Sequence, residues 1–244
     1  NLGLIKEHNK KDEEALEYFV KASDLSPNSA IYLTNTGKVL ARLGKYEDAE
    51  SKFLASVDLK KDQAEVHHDL GVVYTYISRY EEACEQLEKA IALSPKNSVY
   101  LADLGFAHTK LIQWEKAEQA YKKALELTPK RADIWNFMGQ LNYSQGKDEE
   151  ALSFYQKALS LEPGKEAYRT NLAISLVSLG REQEAESVYK EAIKAHPNSP
   201  GSANALGLLF LKQSRFAEAE TLFKKALSLT PDNSEFMVNL GYTL

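Results

Sequence analysis

Hydrophobic positions along this chain follow the period of an α-helix, in short stretches that are separated by polar turns. Between Gly139 and Pro163, for example, two stretches with helical spacing flank a polar turn at residues 145–147. The same arrangement returns every 34 residues. The pattern therefore predicts a series of short antiparallel helix pairs, joined by turns.

Three residue types recur at the 34-residue spacing, and each marks a different point of the helix pair. The alanine column contains Ala15, Ala49, Ala83, Ala117, Ala151, Ala185 and Ala219. The glycine column contains Gly3, Gly37, Gly71, Gly105, Gly139, Gly207 and Gly241, with Ala173 in the remaining place. The proline column contains Pro27, Pro95, Pro129, Pro163, Pro197 and Pro231, with Lys61 as the exception. A period without insertion or deletion predicts a stack of similar units.

Each column has a physical role in such a helix pair. Glycine on the first helix and alanine on the second allow two backbones to approach to about 8–10 Å. Acidic residues at the start of the second helices, such as Glu47 and Asp48, complement the helix dipole. Proline cannot continue a helix interior and therefore ends the pair. Because Lys61 replaces proline, we expect the second helix of that repeat to run longer or to meet the next repeat at a different angle.

One repeat shows the full pattern of spaced residues. Its members are Trp135, Met138, Gly139, Ala151, Tyr155, Ala158 and Pro163. This pattern resembles the tetratricopeptide repeat (TPR), and the likeness covers essentially the whole chain. The resemblance implies an all-α fold, a right-handed α-solenoid superhelix of antiparallel helix pairs. It also implies that the first helix of each repeat lines a concave groove.

The period also predicts the organisation of the chain as a single TPR array over residues 1–244. The full repeats are expected at residues 30–63, 64–97, 98–131, 132–165, 166–199 and 200–233. Truncated repeats are expected at residues 1–29 and 234–244. Terminal repeats of such arrays need a polar outer face, whereas this chain stops in an apolar helix. We therefore expect it to be a piece of a longer protein.

Composition and charge narrow the classes of partner. The chain has 30 Lys plus Arg against 35 Asp plus Glu, so its formal net charge is −5. Neutralising phosphates requires a basic face, so nucleic acid is not an expected partner. The longest apolar run, residues 205–211, is too short to cross a membrane, and no membrane insertion is expected. The single cysteine, Cys84, fits a reducing compartment. These features favour a soluble, cytoplasmic protein, although they do not define the compartment.

Motifs that carry enzymatic chemistry are absent from the sequence. It contains no phosphate-binding G-x-x-x-x-G-K-[ST], no H-E-x-x-H and no G-x-S-x-G. Of its five histidines, His68 and His108 alone fall on neighbouring first helices, where surface or turn roles are the simpler interpretation. Cys84 lies next to the alanine column and is expected to be a buried thiol. We therefore predict a non-catalytic chain without cofactor or metal.

The resemblance places candidate binding residues on the first helices, at positions not used for packing. The predicted groove residues are Asn35, Lys38, Arg42, Asp69, Tyr76, Asp103, Phe106, Asn136, Phe137, Gln140, Asn171, Ile174, Asn204, Leu208 and Asn239. In the truncated first repeat, the corresponding places are taken by Asn1, Leu4 and His8.

One 34-residue column of this set is rich in amides. It contains Asn1, Asn35, Asp69, Asp103, Phe137, Asn171, Ala205 and Asn239. An asparagine can both donate to and accept from a peptide unit, so the column could hold an extended backbone. It resembles the asparagine ladder in the repeat arm of O-linked N-acetylglucosamine transferases. The alternative is that these amides bond to a neighbouring repeat. A few hydrogen bonds give weak binding, so apolar anchors such as Phe106, Ile174 and Leu208 would have to add to them.

Acidic residues gather in the middle repeats. Glu65, Asp69, Asp103 and Asp133 would suit a partner with a basic residue, unless they simply form a hydrated surface. The carboxylate clamp of chaperone-docking TPR proteins is not matched, because Asp69 and Asp103 stand where that clamp needs an amide and a basic residue.

Together these observations predict a protein–protein interaction module that binds an extended or helical peptide segment in the concave groove. One alternative is a structural scaffold that self-associates through its terminal repeats. Another is the substrate-selecting arm of a larger enzyme, such as an O-linked N-acetylglucosamine transferase. RNA-reading helical repeats are disfavoured by the acidic charge and by the small-residue columns.

Overall fold

A computed structural model describes the backbone of residues 2–244 and the side chains of residues 11–244. These residues form fourteen α-helices and contain no strand. The helices are α1 Leu2–Leu25, α2 Ala30–Arg42, α3 Tyr46–Leu59, α4 Ala64–Tyr76, α5 Tyr80–Leu93, α6 Ser98–Lys110, α7 Trp114–Leu127, α8 Ala132–Ser144, α9 Asp148–Leu161, α10 Glu166–Ser178, α11 Glu182–Ala195, α12 Pro200–Lys212, α13 Phe216–Leu229 and α14 Ser234–Gly241. The all-α prediction is confirmed.

The helices are arranged in consecutive pairs. Each full repeat contributes a first helix of 13 residues and a second helix of 14, which pack against each other. The chain divides into two compact units, Asn1–Pro129 with α1–α7 and Lys130–Leu244 with α8–α14. Each unit is described by itself below. The prediction of a single array over residues 1–244 stays a prediction.

Small residues lie where the two helices of a pair meet, as the columns predict. The described alanines from Ala49 to Ala219 in the alanine column are completely buried. A Cβ on Gly139 would lie 2.5 Å from the Tyr155 ring, and one on Gly207 would lie 2.6 Å from the Phe223 ring. The aromatic ring of the second helix therefore occupies the space that the missing side chain leaves free.

The N-terminal segment differs from the expected truncated repeat. Residues 2–25 form one uninterrupted helix, α1, instead of the end of one helix and a second helix. Residues 4–26 contain neither glycine nor proline, and Lys10 stands where Gly44 and Gly146 adopt positive φ in other repeats. The missing glycine alone does not account for the continuous helix, because Ser78, Ile112 and Ser214 adopt positive φ at the same place in other repeats. The side chains of Asn1, Leu4 and His8, which were predicted to line the groove, lie outside the described residues.

Lys61, the exception in the proline column, does not lengthen the second helix of its repeat, α3. Helix α3 ends at Leu59 and has the same 14 residues as the other second helices, so that expectation is wrong. The Gln63 side chain takes over part of the role of proline, because its amide nitrogen donates to the carbonyl oxygens of Ser56 at 3.2 Å and Lys60 at 2.8 Å. The Lys60 carbonyl lies just past the helix end, and the Ser56 carbonyl also accepts from the backbone N–H of Lys60, so the Gln63 amide closes over the end of α3. A different angle to the next repeat stays a prediction.

Candidate functional site

The first helices of successive repeats lie next to each other within each unit. Helix α4 contacts both α2 and α6 in the first unit, and α8 contacts α10 in the second. Side-chain hydrogen bonds also join α12 to α14. We call the surface formed by the first helices of a unit its first-helix face. The predicted groove residues are distributed over the first-helix faces of the two units.

A chain of charged side chains crosses the first-helix face of the first unit. Lys38 on α2 forms ion pairs with Glu65 and with Asp69 on α4, the latter at 3.6 Å. His68 donates from Nε2 to Asp103 on α6 at 2.7 Å, and its Nδ1 lies 3.6 Å from Asp69. Three consecutive repeats are therefore linked by alternating positive and negative groups.

His68 is held in its protonated form by this arrangement. Burial alone would lower the pKa of His68, but the hydrogen bonds to Asp103 and Asp69 outweigh burial and raise the pKa to about 9. The ring also stacks on Tyr100, with centroids 4.6 Å apart. His68 was assigned a surface role from the sequence alone, because nothing in a single helix shows that two carboxylates from separate repeats meet it.

This ion pair predicts a pH-dependent contribution to stability. The pKa of His68 is higher in the folded chain than its ordinary value of 6.5, so its stabilisation is fully present below pH 6.5 and is lost as the pH rises through about 9. Comparing urea unfolding of the unchanged chain and of His68→Gln should show a difference of about 1–2 kcal/mol at pH 6 that shrinks at pH 9.5. In an Asp103→Asn background most of this pH dependence should disappear. A difference that is the same at both pH values would contradict the assignment.

A cavity opens on the same face between α2, α3 and α4. Its volume is about 530 Å³, and four of the predicted groove residues line it: Lys38, Arg42, Asp69 and Tyr76. Sequence reasoning missed the contribution of Tyr46, because it placed binding residues only on first helices. Tyr46 begins the second helix α3, and its ring stacks on Tyr76 with centroids 5.2 Å apart. The cavity thus has walls from both helices of one repeat and from the next repeat.

The remaining predicted residues of the first unit lie outside this cavity. Asn35 lines a smaller hollow of about 320 Å³ that it shares with Lys38 and Gln63. Asp103 is engaged with His68, and Phe106 is half-buried with the Lys110 ammonium 5.1 Å from its ring centre. Lys38 borders both hollows, whereas Asp103 and Phe106 line neither of them.

In the second unit, asparagines of neighbouring repeats bond to each other. Asn171 donates from Nδ2 to Oδ1 of Asn136 at 2.8 Å, and Asn239 donates in the same way to Asn204 at 2.9 Å. Asn136, Asn204 and Asn239 are each less than a tenth exposed. The amides are thus engaged between repeats, which is the alternative that the sequence left open. A peptide backbone has direct access mainly to Asn171, which is half-buried.

Apolar side chains follow one line along the first-helix face of the second unit. Ile174, Leu208 and Tyr242 stand 34 residues apart, and each is exposed. Gln140 occupies the preceding place in this line, and both Gln140 and Phe137 are half-buried. The line offers water-accessible apolar surface beside the half-buried amide of Asn171.

The acidic residues that suggested a basic partner already have partners within the chain. Glu65 and Asp69 pair with Lys38, and Asp103 pairs with His68. Asp133 in the second unit pairs with Arg131. The charges that would have attracted a basic residue are therefore largely neutralised.

Cys84 and His108, the other residues considered for chemistry, are buried in the core. Cys84 is buried as expected, and its sulfur lies 3.5 Å from Nδ1 of His108, which is also buried. Burial raises the pKa of the Cys84 thiol to about 11, so it is protonated at neutral pH. Among the side chains of residues 11–244, no group of three or more His, Cys, Asp or Glu could hold a metal ion. Across the described helices, none is both long and apolar enough to span a bilayer.

Solved structures with similar folds are TPR proteins. A TPR protein from Parabacteroides merdae superimposes with a TM-score of 0.77 at 19% identity, and the match covers 98% of each chain. A chain of the APC/C hetero-tetramer Cut9-Hcn1 gives a TM-score of 0.75 at 17% identity. The match covers 98% of the present chain but only 48% of that chain. YrrB, a TPR protein with an unusual peptide-binding site, gives a TM-score of 0.56 at 18% identity over 76% of this chain and 96% of YrrB. At these identities the likeness shows the fold.

Sequence comparison identifies the family. No curated protein matches the chain in sequence. The family model of the cilia and flagella-associated protein 70 C-terminal domain, a TPR domain, matches residues 6–239. That match covers nearly the whole chain and agrees with the paired helices and with the TPR folds of the similar structures. The chain belongs to the family of the cilia and flagella-associated protein 70 C-terminal domain.

Proposed function

We propose that this chain is a non-catalytic module that binds an extended or helical segment of a partner protein on its first-helix faces. TPR folds typically serve as interaction scaffolds, and YrrB is a TPR protein with a peptide-binding site. The observation that carries the proposal is the exposed apolar line of Ile174, Leu208 and Tyr242, which lies beside the half-buried amide of Asn171. Apolar contacts would supply most of the affinity, and the amide would orient the bound backbone.

The role of the asparagines differs from that of a full ladder. In the pairs Asn136–Asn171 and Asn204–Asn239, one hydrogen bond of each amide is already committed to a neighbouring repeat. An asparagine amide has two hydrogens and an acceptor oxygen, so Asn171 retains groups for a ligand. The asparagines of the second unit therefore support recognition at the half-buried Asn171, and the substrate-selecting arm of an enzyme is correspondingly less favoured.

The test uses random 15-residue peptides displayed on phage and selected against the intact chain. A double variant, Tyr76→Asp with Leu208→Asp, places a charge on the first-helix face of each unit. We expect it to weaken binding of the selected peptides at least tenfold, because a carboxylate would be desolvated against apolar peptide groups. Fluorescence anisotropy of labelled peptides measures the change.

A matched control distinguishes the effect of a carboxylate on the first-helix faces from the effect of added charge in general. The double variant Tyr18→Asp with Leu229→Asp adds two carboxylates on other helices, at positions of similar exposure. Tyr18 is 73% exposed and Leu229 37%, whereas Tyr76 is 66% exposed and Leu208 40%. We expect this variant to bind the peptides within twofold of the unchanged chain. Equal losses in both double variants, or a library that yields no binding peptide, would contradict the proposal.

Self-association is a second candidate, because Met237 and Val238 on α14 and Tyr242 just after it are exposed. Sedimentation of the chain without peptide addresses it. A sedimentation coefficient that rises with protein concentration would favour it over peptide binding at this surface.

A further inference from the structure

The cavity between α2, α3 and α4 has an apolar floor and an aromatic rim. Phe53 and Val73 at its base are almost completely buried, and Ala41 and Val72 complete the apolar lining. Tyr76 stands at the edge with 66% of its side chain exposed. The structure thus leaves a large ring in water beside a cavity of about 530 Å³.

The Tyr76 ring is held in a fixed orientation. It stacks on Tyr46 with an interplanar angle of 6°. Because Tyr46 belongs to α3 and Tyr76 to the end of α4, the stack joins one repeat to the next. A flat, pre-oriented ring is a surface on which another ring can pack at little cost in ordering.

The charged groups of the cavity wall are already neutralised by the chain. Lys38 pairs with Glu65 and Asp69. Arg42 donates from Nη2 to Asp12 at 2.8 Å and from Nε to the same carboxylate at 3.1 Å. Oδ2 of Asp69 receives no hydrogen bond, so the cavity wall can still accept one from a neutral donor. A ligand cation would meet Lys38 and Arg42 in the same wall, and a ligand anion would meet Asp69, so neither charge is favoured at this partly desolvated site. The cavity is therefore complementary to an uncharged group.

From this geometry we infer that the cavity accepts one uncharged aromatic side chain of the bound protein segment. The ring would pack on Tyr76 and over the floor of Phe53 and Val73, while the paired charges of Lys38 and Arg42 border it. This inference rests on the proposed function, because it names the residue by which the partner segment is anchored in the first unit. It also replaces the basic partner residue that the acidic residues of the middle repeats suggested.

The peptides selected above provide the test, now with single substitutions in the chain or in the peptide. We expect the peptides that bind the first unit to share one aromatic residue. Replacing that residue by alanine should weaken binding at least tenfold, and so should Tyr76→Leu, which keeps apolar bulk but removes the ring. Tyr76→Phe keeps the ring and should bind within twofold of the unchanged chain. Tyr18→Leu, at an exposed tyrosine of the same unit outside the cavity, should also bind within twofold.

Each other result overturns a defined claim. Peptides that bind the chain but share a charged or an aliphatic residue would overturn the aromatic anchor and leave the proposed function standing. The same holds for peptides whose affinity does not change with Tyr76→Leu. A library without any binding peptide would overturn the proposed function itself. Far-UV circular dichroism of each variant checks that the helices are intact, and Tyr76→Phe serves as the folded reference.

Discussion

Replacing Phe223 by alanine is expected to lower the free energy of unfolding by about 3–5 kcal/mol. The Phe223 ring is fully buried in the core of the second unit and fills the space opposite Gly207. Removing it takes away both its burial and its packing, and glycine offers no side chain that could close the cavity. Hydrogen exchange at the amides of α12 and α13 measures the loss locally, and it should become at least about a hundredfold faster.

The matched control lies on the same helix. Phe216 begins α13 and is half exposed, so Phe216→Ala should cost about 1 kcal/mol or less. If the two alanine variants changed exchange equally, the aromatic ring opposite the glycine would not be the main packing element of the helix pair.

Replacing Gly139 by leucine is the second large effect, expected at about 1–3 kcal/mol. A Cβ at this position would lie 2.5 Å from the Tyr155 ring, which is itself buried. One methyl group can be accommodated in this column, since Ala173 occupies the equivalent place in its repeat. A leucine adds three further carbons to the crossing, so the helices must separate or the ring must leave its position. Urea unfolding followed by circular dichroism measures the cost.

Gly164 provides the comparison for this substitution. It lies in the turn between α9 and α10, and a Cβ there would meet no atom within 4 Å. Gly164→Leu should therefore change the free energy of unfolding by about 0.5 kcal/mol or less. A Gly139→Leu variant as stable as Gly164→Leu would refute the steric role of the glycine column.

The helix pairs could be predicted from the sequence because their determinants are local. Apolar spacing, small residues at the crossing and a helix stop all act within one repeat. The two errors have the same origin. At Lys61 a side chain from the following turn, Gln63, donates to the carbonyl just past the helix end, and at the N-terminus α1 continues through the place where the period predicts a turn. In both cases the residue type in a column was a weak guide to where the helix ends.

The candidate site was less predictable because it depends on contacts between repeats. The columns place Asp69 and Asp103 on first helices, but they do not show that Lys38 and His68 neutralise them. They also place Asn171 on a first helix without showing that Asn136 accepts its hydrogen. These contacts depend on how one helix pair is rotated against the next, which no single repeat encodes. The contribution of Tyr46 was missed because this residue begins a second helix, and binding residues were expected only on first helices.

Three of the polar links between first helices share one offset. His68–Asp103, Asn136–Asn171 and Asn204–Asn239 each join residues 35 positions apart. An extra residue inserted within α10 ahead of Asn171 would swing its side chain by about 100° around the helix axis and out of reach of Asn136. The length of the repeat is thus constrained by side-chain register on the surface as well as by the core, which explains why a chain of this kind tolerates substitutions within a column more readily than a change in spacing.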